Sequence, residues 1–143
     1  MSLRVVLDTS VMVAALRSNR GASRMLLVAA LEARFRALLS VPLMMEYEAV
    51  LTRLEHLSAS RLSSAEVRSL LDAMATVIEP VRLAFLWRPT LPDPEDDMVL
   101  ETAVNGRADL LVTLNLRHFQ PAASKFEITV ASPAKALQLL GYR

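Results

Sequence analysis

The chain has 143 residues, 53% of them hydrophobic and none of them cysteine, with a net charge of +1. That length suits one domain with enough apolar side chains for its own core; the absence of cysteine excludes a disulfide framework, a thiolate nucleophile and sulfur ligation of zinc. The near-neutral balance excludes the broad basic field of many nucleic-acid binders, and no apolar run approaches the roughly 18 residues of a membrane span.

The sequence reaches Asp8 before an apolar secretion segment develops, so the expectation is a single cytoplasmic domain over residues 1–143 with no membrane association. The basic residues are nearly all arginine, Lys125 and Lys135 excepted, and arginine favours bidentate contact with phosphate or carboxylate.

In chain order, the apolar run LRVVL at 3–7 reads as a strand that stops at Asp8. Thr9 and Ser10 form a capped turn, and residues 11–17 a helix. Ser23 is placed to cap a second helix running to about Phe35, with Met25, Leu26, Ala29, Ala30 and Ala33 at helical spacing. ALLSV at 37–41 reads as a second strand, and Pro42 opens a helix carrying Leu43, Glu46, Val50, Leu51 and Leu54. Ser63 and Glu66 have capping-box spacing for a helix to about Ala75. Residues 76–83, interrupted by Pro80, suit an edge strand or connector, and the three prolines of 87–94 a loop. A helix follows from about Glu95 to Gly106, then strands at 110–113 and 127–131, then a helix opened by Ser132-Pro133 and closed by Gly141.

Strands alternating with helices predict an α/β fold, a three-layer α/β/α sandwich with a mostly parallel central sheet. Ligands of such sheets bind beyond the carboxyl ends of the strands. Asp8, Asn115 and the helix starts at Pro42 and Glu95 fall there. A carboxylate at that rim requires donors or a cation to offset its desolvation, although Asp8 also suits a helix N-cap. Asp93, Asp96 and Asp97 crowd one helical turn and repel one another unless water or a cation screens them, although acids also suit a helix N-terminus. Glu46 projects from near the apolar stripe of its helix, where a solvated glutamate is the common outcome. Three acidic sites from distant parts of the chain are what hard cations such as Mg2+ or Mn2+ require. His56 and His118 are too isolated for a histidine site; His56 is expected at the surface, and His118 to pack or to touch a phosphate.

Four segments in order, LDTSV at the N-terminus, the pair Glu46-Tyr47, PDPEDDMVLETA from Pro92 and ADLLVTLNLRHF from Ala108, resemble the PIN-domain signature, most closely in its branch of toxins from toxin–antitoxin pairs (VapC-like). The resemblance implies a PIN-like fold over nearly the whole chain and a metal-dependent ribonuclease, a hydrolase of phosphodiester bonds. It implies that Asp8, Glu46 and Asp96 are the first, second and third metal carboxylates, with Asp93 and Asp97 beside the third. Thr113 matches the hydroxyl residue that lines the site, and Ser10 the small polar position after the first Asp. Asn115 departs from the pattern, because many members carry a fourth Asp there.

Such a site uses bound Mg2+ or Mn2+ to activate water and to stabilise charge on the scissile phosphate. Single-stranded or looped RNA suits a rim site better than a duplex, with Arg17, Arg20 and Arg24 as candidates for backbone contacts. A cognate antitoxin protein is the implied partner, and the high apolar fraction predicts a homodimer through the first two helices or the 63–75 helix. An aspartyl phosphatase would want a second Asp at the position of Ser10, and a receiver module paired acids and a late lysine. The remaining alternative is a non-catalytic PIN-like module that binds RNA or protein, which Asn115 favours.

Overall fold

A computed structural model describes residues 3–84 and 94–142, with the side chains of 94–96 outside that description. The expected loop at 87–94 therefore lies outside the described residues except for Pro94, which opens a helix. The elements are β1 (Arg4–Leu7), α1 (Thr9–Arg17), α2 (Ala22–Leu31), β2 (Arg36–Leu39), α3 (Val41–Leu51), α4 (Leu54–Ser60), α5 (Ser64–Ala75), β3 (Glu79–Pro80), α6 (Pro94–Asn105), β4 (Leu110–Val112), α7 (Leu116–Ala123), β5 (Thr129–Ala131) and α8 (Pro133–Leu139). The five strands form one sheet in the order β3-β2-β1-β4-β5, and every pairing is parallel. This is the expected three-layer α/β fold, with helices covering the sheet.

The strands are short and buried, as parallel strands covered on both faces should be. Val5, Val6, Leu7, Ala37, Leu38, Leu39, Leu110, Leu111 and Val112 all belong to one contiguous core cluster with residues of the surrounding helices. Pro80 sits on the edge strand, where its missing N–H costs no ladder bond. The strand order reverses between β1 and β4, which places a switch point at their carboxyl ends.

Among the described residues, side-chain caps open three of the helices. Ser63 and Glu66 form both bonds of the capping box, Ser40 caps α3 through Leu43 N–H at 3.3 Å, and Ser132 caps α8 through Lys135 N–H. Several boundaries differ from expectation, among them the strand expected at 37–41, which ends at Leu39 so that Ser40 caps α3. The N-cap of α2 is Gly21, and Ser23 is buried inside the helix. That helix ends at Leu31, because Ala33 turns left-handed (φ 56°) while Ala33 N–H reaches Ala30 O and Arg34 N–H reaches Ala29 O. This closing motif works here without glycine and frees Phe35 to enter the core.

The third helix stops at Leu51, and Leu54 starts a separate helix in which it is 82% exposed. Helix α7 adds to the elements expected from the sequence and forms with Pro121 inside it; the buried Phe119, Ala122 and Ala123 outweigh the one lost N–H. Among the described residues the most exposed large apolar side chains, Val41, Met45 and Leu54, belong to α3 and α4. Among the described residues no helix is long and apolar enough to cross a membrane.

Candidate functional site

Asp8 follows the last residue of β1 and is almost fully buried. It occupies the N-cap position of α1, yet its side chain makes no capping bond. Only its backbone carbonyl serves the helix, accepting from Val11 N–H at 2.9 Å. The carboxylate is used differently: Ser10 Oγ and Thr113 Oγ1 both donate to Oδ2, each at 2.7 Å. Among the described residues Oδ1 accepts no hydrogen bond. The cap explanation for this acid is thereby removed, and its buried charge is met by two hydroxyls on one oxygen.

The two hydroxyls are themselves fixed. Ser10 Oγ accepts from Leu114 N–H at 3.2 Å and Thr113 Oγ1 from Asn115 N–H at 2.9 Å, so each oxygen has its acceptor role filled and its proton directed at Asp8. Thr113 comes directly after β4, the partner of β1. Parallel pairing of Leu7 with Val112 brings Asp8 and Thr113 side by side at the switch point, and Asp8 N–H closes the register on Val112 O at 2.9 Å.

Glu46 lies half-buried in α3, one residue before Tyr47. Tyr47 is fully buried, and its hydroxyl donates to the backbone carbonyl of Leu7. Burial, and then the nearby Asp8 charge, push its phenol far above the ordinary tyrosine range, which keeps it a donor. A second buried bond, between Ser40 Oγ and Thr102 Oγ1 at 2.8 Å, joins the start of α3 to α6.

Helix α6 packs against β1, α3 and α7 and carries the acidic segment. Asp97 is 1% exposed and Glu101, one turn later on the same face, is fully buried. Asp93 lies outside the described residues; Asp96 is placed by its backbone in the opening turn of α6. Among the described residues no three Asp, Glu, His or Cys side chains gather in metal-holding geometry. Asn115 is exposed at the N-cap position of α7, without a capping bond from its side chain. His118 is exposed in the first turn of that helix. His56, expected at the surface, is half-buried on α4, 3.9 Å from Glu55.

Two buried residues, Tyr47 and Glu101, have no role in the sequence pattern. Tyr47 enters the sequence pattern only as part of the Glu46-Tyr47 pair, and its contact with Leu7 spans 40 residues of sequence that no local pattern records. Glu101 could have been flagged by its spacing of four from Asp97. Two of the arginine candidates, Arg17 and Arg24, lie toward the end of α1 far from Asp8. Arg17 closes α1, roughly 13 Å along the helix from Asp8, and Arg24 Nε binds Ala15 O at 2.6 Å. Arg24 also lines a groove of about 720 Å³ between α1, α2 and α5, where Leu16, Leu27 and Leu70 supply apolar walls. No acid of the candidate site lines that groove.

Around Asp8 the structure shows its own carboxylate and the hydroxyls of Ser10 and Thr113, oxygen atoms of the kind that suit a hard divalent cation and not a soft one. Fold and site together define an α/β protein with an oxygen-lined acidic site at the switch point of a parallel sheet. The PIN domain family matches residues 4–117, and the chain belongs to that family. Its fold is similar to a chain in the crystal structure of VapBC2 from Rickettsia felis bound to a DNA fragment from their promoter. The match has a TM-score of 0.62 at 13% identity and covers 91% of this chain and 98% of that one. Comparison with curated proteins gives no significant match.

Proposed function

We propose that this protein is a metal-dependent endoribonuclease that cleaves RNA phosphodiester bonds as the toxin of a toxin–antitoxin pair. The observation that carries the reading is the Asp8 carboxylate, buried at the switch point, unused as a helix cap and held by two hydroxyls on one oxygen. Membership of the PIN domain family supports nuclease chemistry, and the similar fold in VapBC2 supports pairing with an antitoxin. In this reading Asp8, Glu46 and Asp96 hold Mg2+ or Mn2+, with Asp93 and Asp97 adding charge beside them. The bound ion would supply positive charge to the scissile phosphate and acidify the attacking water. Thr113 and Ser10 fix the Asp8 rotamer, and the sheet rim admits single-stranded or looped RNA. The protein works in the cytoplasm as a homodimer, and exposed Val41, Met45 and Leu54 supply apolar surface for such a contact.

The test is cleavage of a single-stranded RNA by purified protein across a series of Mn2+ and Mg2+ concentrations, with EDTA as the control. Asp8→Asn and Asp96→Asn should each lose about 100-fold or more in rate, beyond most outer-shell effects, while the folded protein survives. A second reading, RNA or protein binding without cleavage, is favoured by Asn115 in place of an acid. It predicts RNA retention without cleavage at any metal concentration.

A further inference from the structure

We propose that Tyr47 is a positioning residue that sets the separation of the Asp8 and Glu46 carboxylates by clamping the peptide group between Leu7 and Asp8. The inference rests on the reading of those two acids as cation ligands.

Strand β1 pairs with β4 as far as Leu7 and Val112, but its register with β2 runs only through Arg4 with Arg36 and Val5 with Ala37. Asp8 N–H points toward β4, where Val112 O accepts it at 2.9 Å. In a trans peptide the carbonyl of the preceding residue points the opposite way. Leu7 O therefore faces the β2 side, beyond the paired stretch, and a buried carbonyl there requires another donor. The Tyr47 hydroxyl is that donor. The peptide that introduces Asp8 is held on one edge by β4 and on the other by α3, which fixes the direction in which its side chain leaves the strand.

The same clamp reaches Glu46, the immediate neighbour of Tyr47. One hydrogen bond and one residue step on each side connect two acids 38 positions apart in sequence. The Ser40–Thr102 bond already fixes the start of α3 against α6; Tyr47 fixes its middle against β1. Without the hydroxyl, α3 keeps its apolar packing through Leu43 and Leu51, but it loses the hydrogen bond that ties Tyr47 to the strand end. A divalent ion binds tightly only where its ligands are held at the correct spacing, and loss of such support weakens affinity about 10–100-fold.

The experiment compares the parent chain, Tyr47→Phe and Met74→Ala by Mn2+ titration calorimetry, thermal unfolding and steady-state RNA cleavage. Met74 is buried in α5 and provides a destabilised core with the clamp intact. Tyr47→Phe should raise the Mn2+ dissociation constant about 10-fold and lower kcat at fixed metal, with KM for RNA unchanged. Met74→Ala should lose more stability and keep the parent's Mn2+ affinity. Parental Mn2+ affinity in Tyr47→Phe, or equal loss of affinity in Met74→Ala, overturns the inference alone. A parent chain that neither binds Mn2+ nor cleaves RNA overturns the nuclease reading, and the inference with it.

Discussion

Thr113 Oγ1 donates to Asp8 Oδ2 at 2.7 Å across 105 residues of sequence. The contact exists because β4 is laid beside β1 with Val112 opposite Leu7, so that the residue after each strand meets its counterpart. Its hydroxyl is used twice, as donor to the acid and as acceptor from Asn115 N–H.

Thr113→Val keeps the shape of the side chain and removes both hydrogen bonds. Leaving a buried carboxylate oxygen and a backbone N–H short of a partner should cost about 1–3 kcal/mol, measurable by denaturant unfolding. RNA cleavage should fall about 10–100-fold, the usual scale for losing a group that orients a metal ligand. Thr113→Ser, which retains the hydroxyl, should recover most of both. A valine variant with parental kinetics would remove Thr113 from the site.

Asn115→Asp adds an acid at the site rim and at the N-terminus of α7, whose first turn contains no acidic residue. The two effects separate experimentally. The helix effect should raise stability by about 0.3–1 kcal/mol in the absence of metal. The site effect should lower the Mn2+ concentration needed for half-maximal cleavage. A gain in stability with an unchanged metal requirement would show Asn115 to be a helix-end position only.

At the opposite end of the sheet, Glu79 binds Arg4 through Nη1 at 3.0 Å and Arg36 through Nη1 at 2.9 Å. These bonds, Arg4 first and then Arg36, hold its carboxyl below the ordinary glutamate range. A carboxyl lowered on folding contributes stability above its unfolded value, about pH 4.3, and that contribution is lost as pH falls through the lower folded value. Glu79→Gln should therefore be less stable than the parent at neutral pH, and the difference should shrink as the pH drops below about 4. Thermal unfolding from pH 7 downward measures it; parallel curves would show that the bridges contribute nothing to folding.

Gly106 tests packing and not backbone conformation. It is the residue after α6, but the left-handed turn falls on Arg107, with φ 53°. A Cβ at Gly106 would lie 2.8 Å from Val81 Cγ2 and 2.9 Å from both Leu38 Cδ1 and Thr102 O. Gly106→Ala normally brings an entropic gain of about 0.5–1 kcal/mol, but overpacking against a backbone oxygen should outweigh it by costing about 1–3 kcal/mol. Arg4 would also be disturbed, since its Nε and Nη2 both donate to Gly106 O. An alanine variant as stable as the parent would show that Leu38 and Val81 yield without cost.

The sequence by itself determined the features that depend on a few neighbouring residues. The capping box of Ser63 with Glu66, the helix opening at Ser132, the apolar strands that run up to Asp8 and Thr113, and the parallel class all follow from side-chain periodicity and local hydrogen bonding. Tertiary structure decided the rest. Helix α7 formed around Pro121 because burying Phe119 and Ala123 outweighs one missing donor, and α2 ended early because Phe35 had to reach the core. Only the strand order could turn Asp8 from a plausible cap into a buried acceptor for two hydroxyls, and only the gap beyond the β1–β2 register gave the Tyr47 hydroxyl its carbonyl. A cap is settled by donors within one turn of chain, whereas a buried carbonyl or carboxylate takes whichever partner the packed core brings to it.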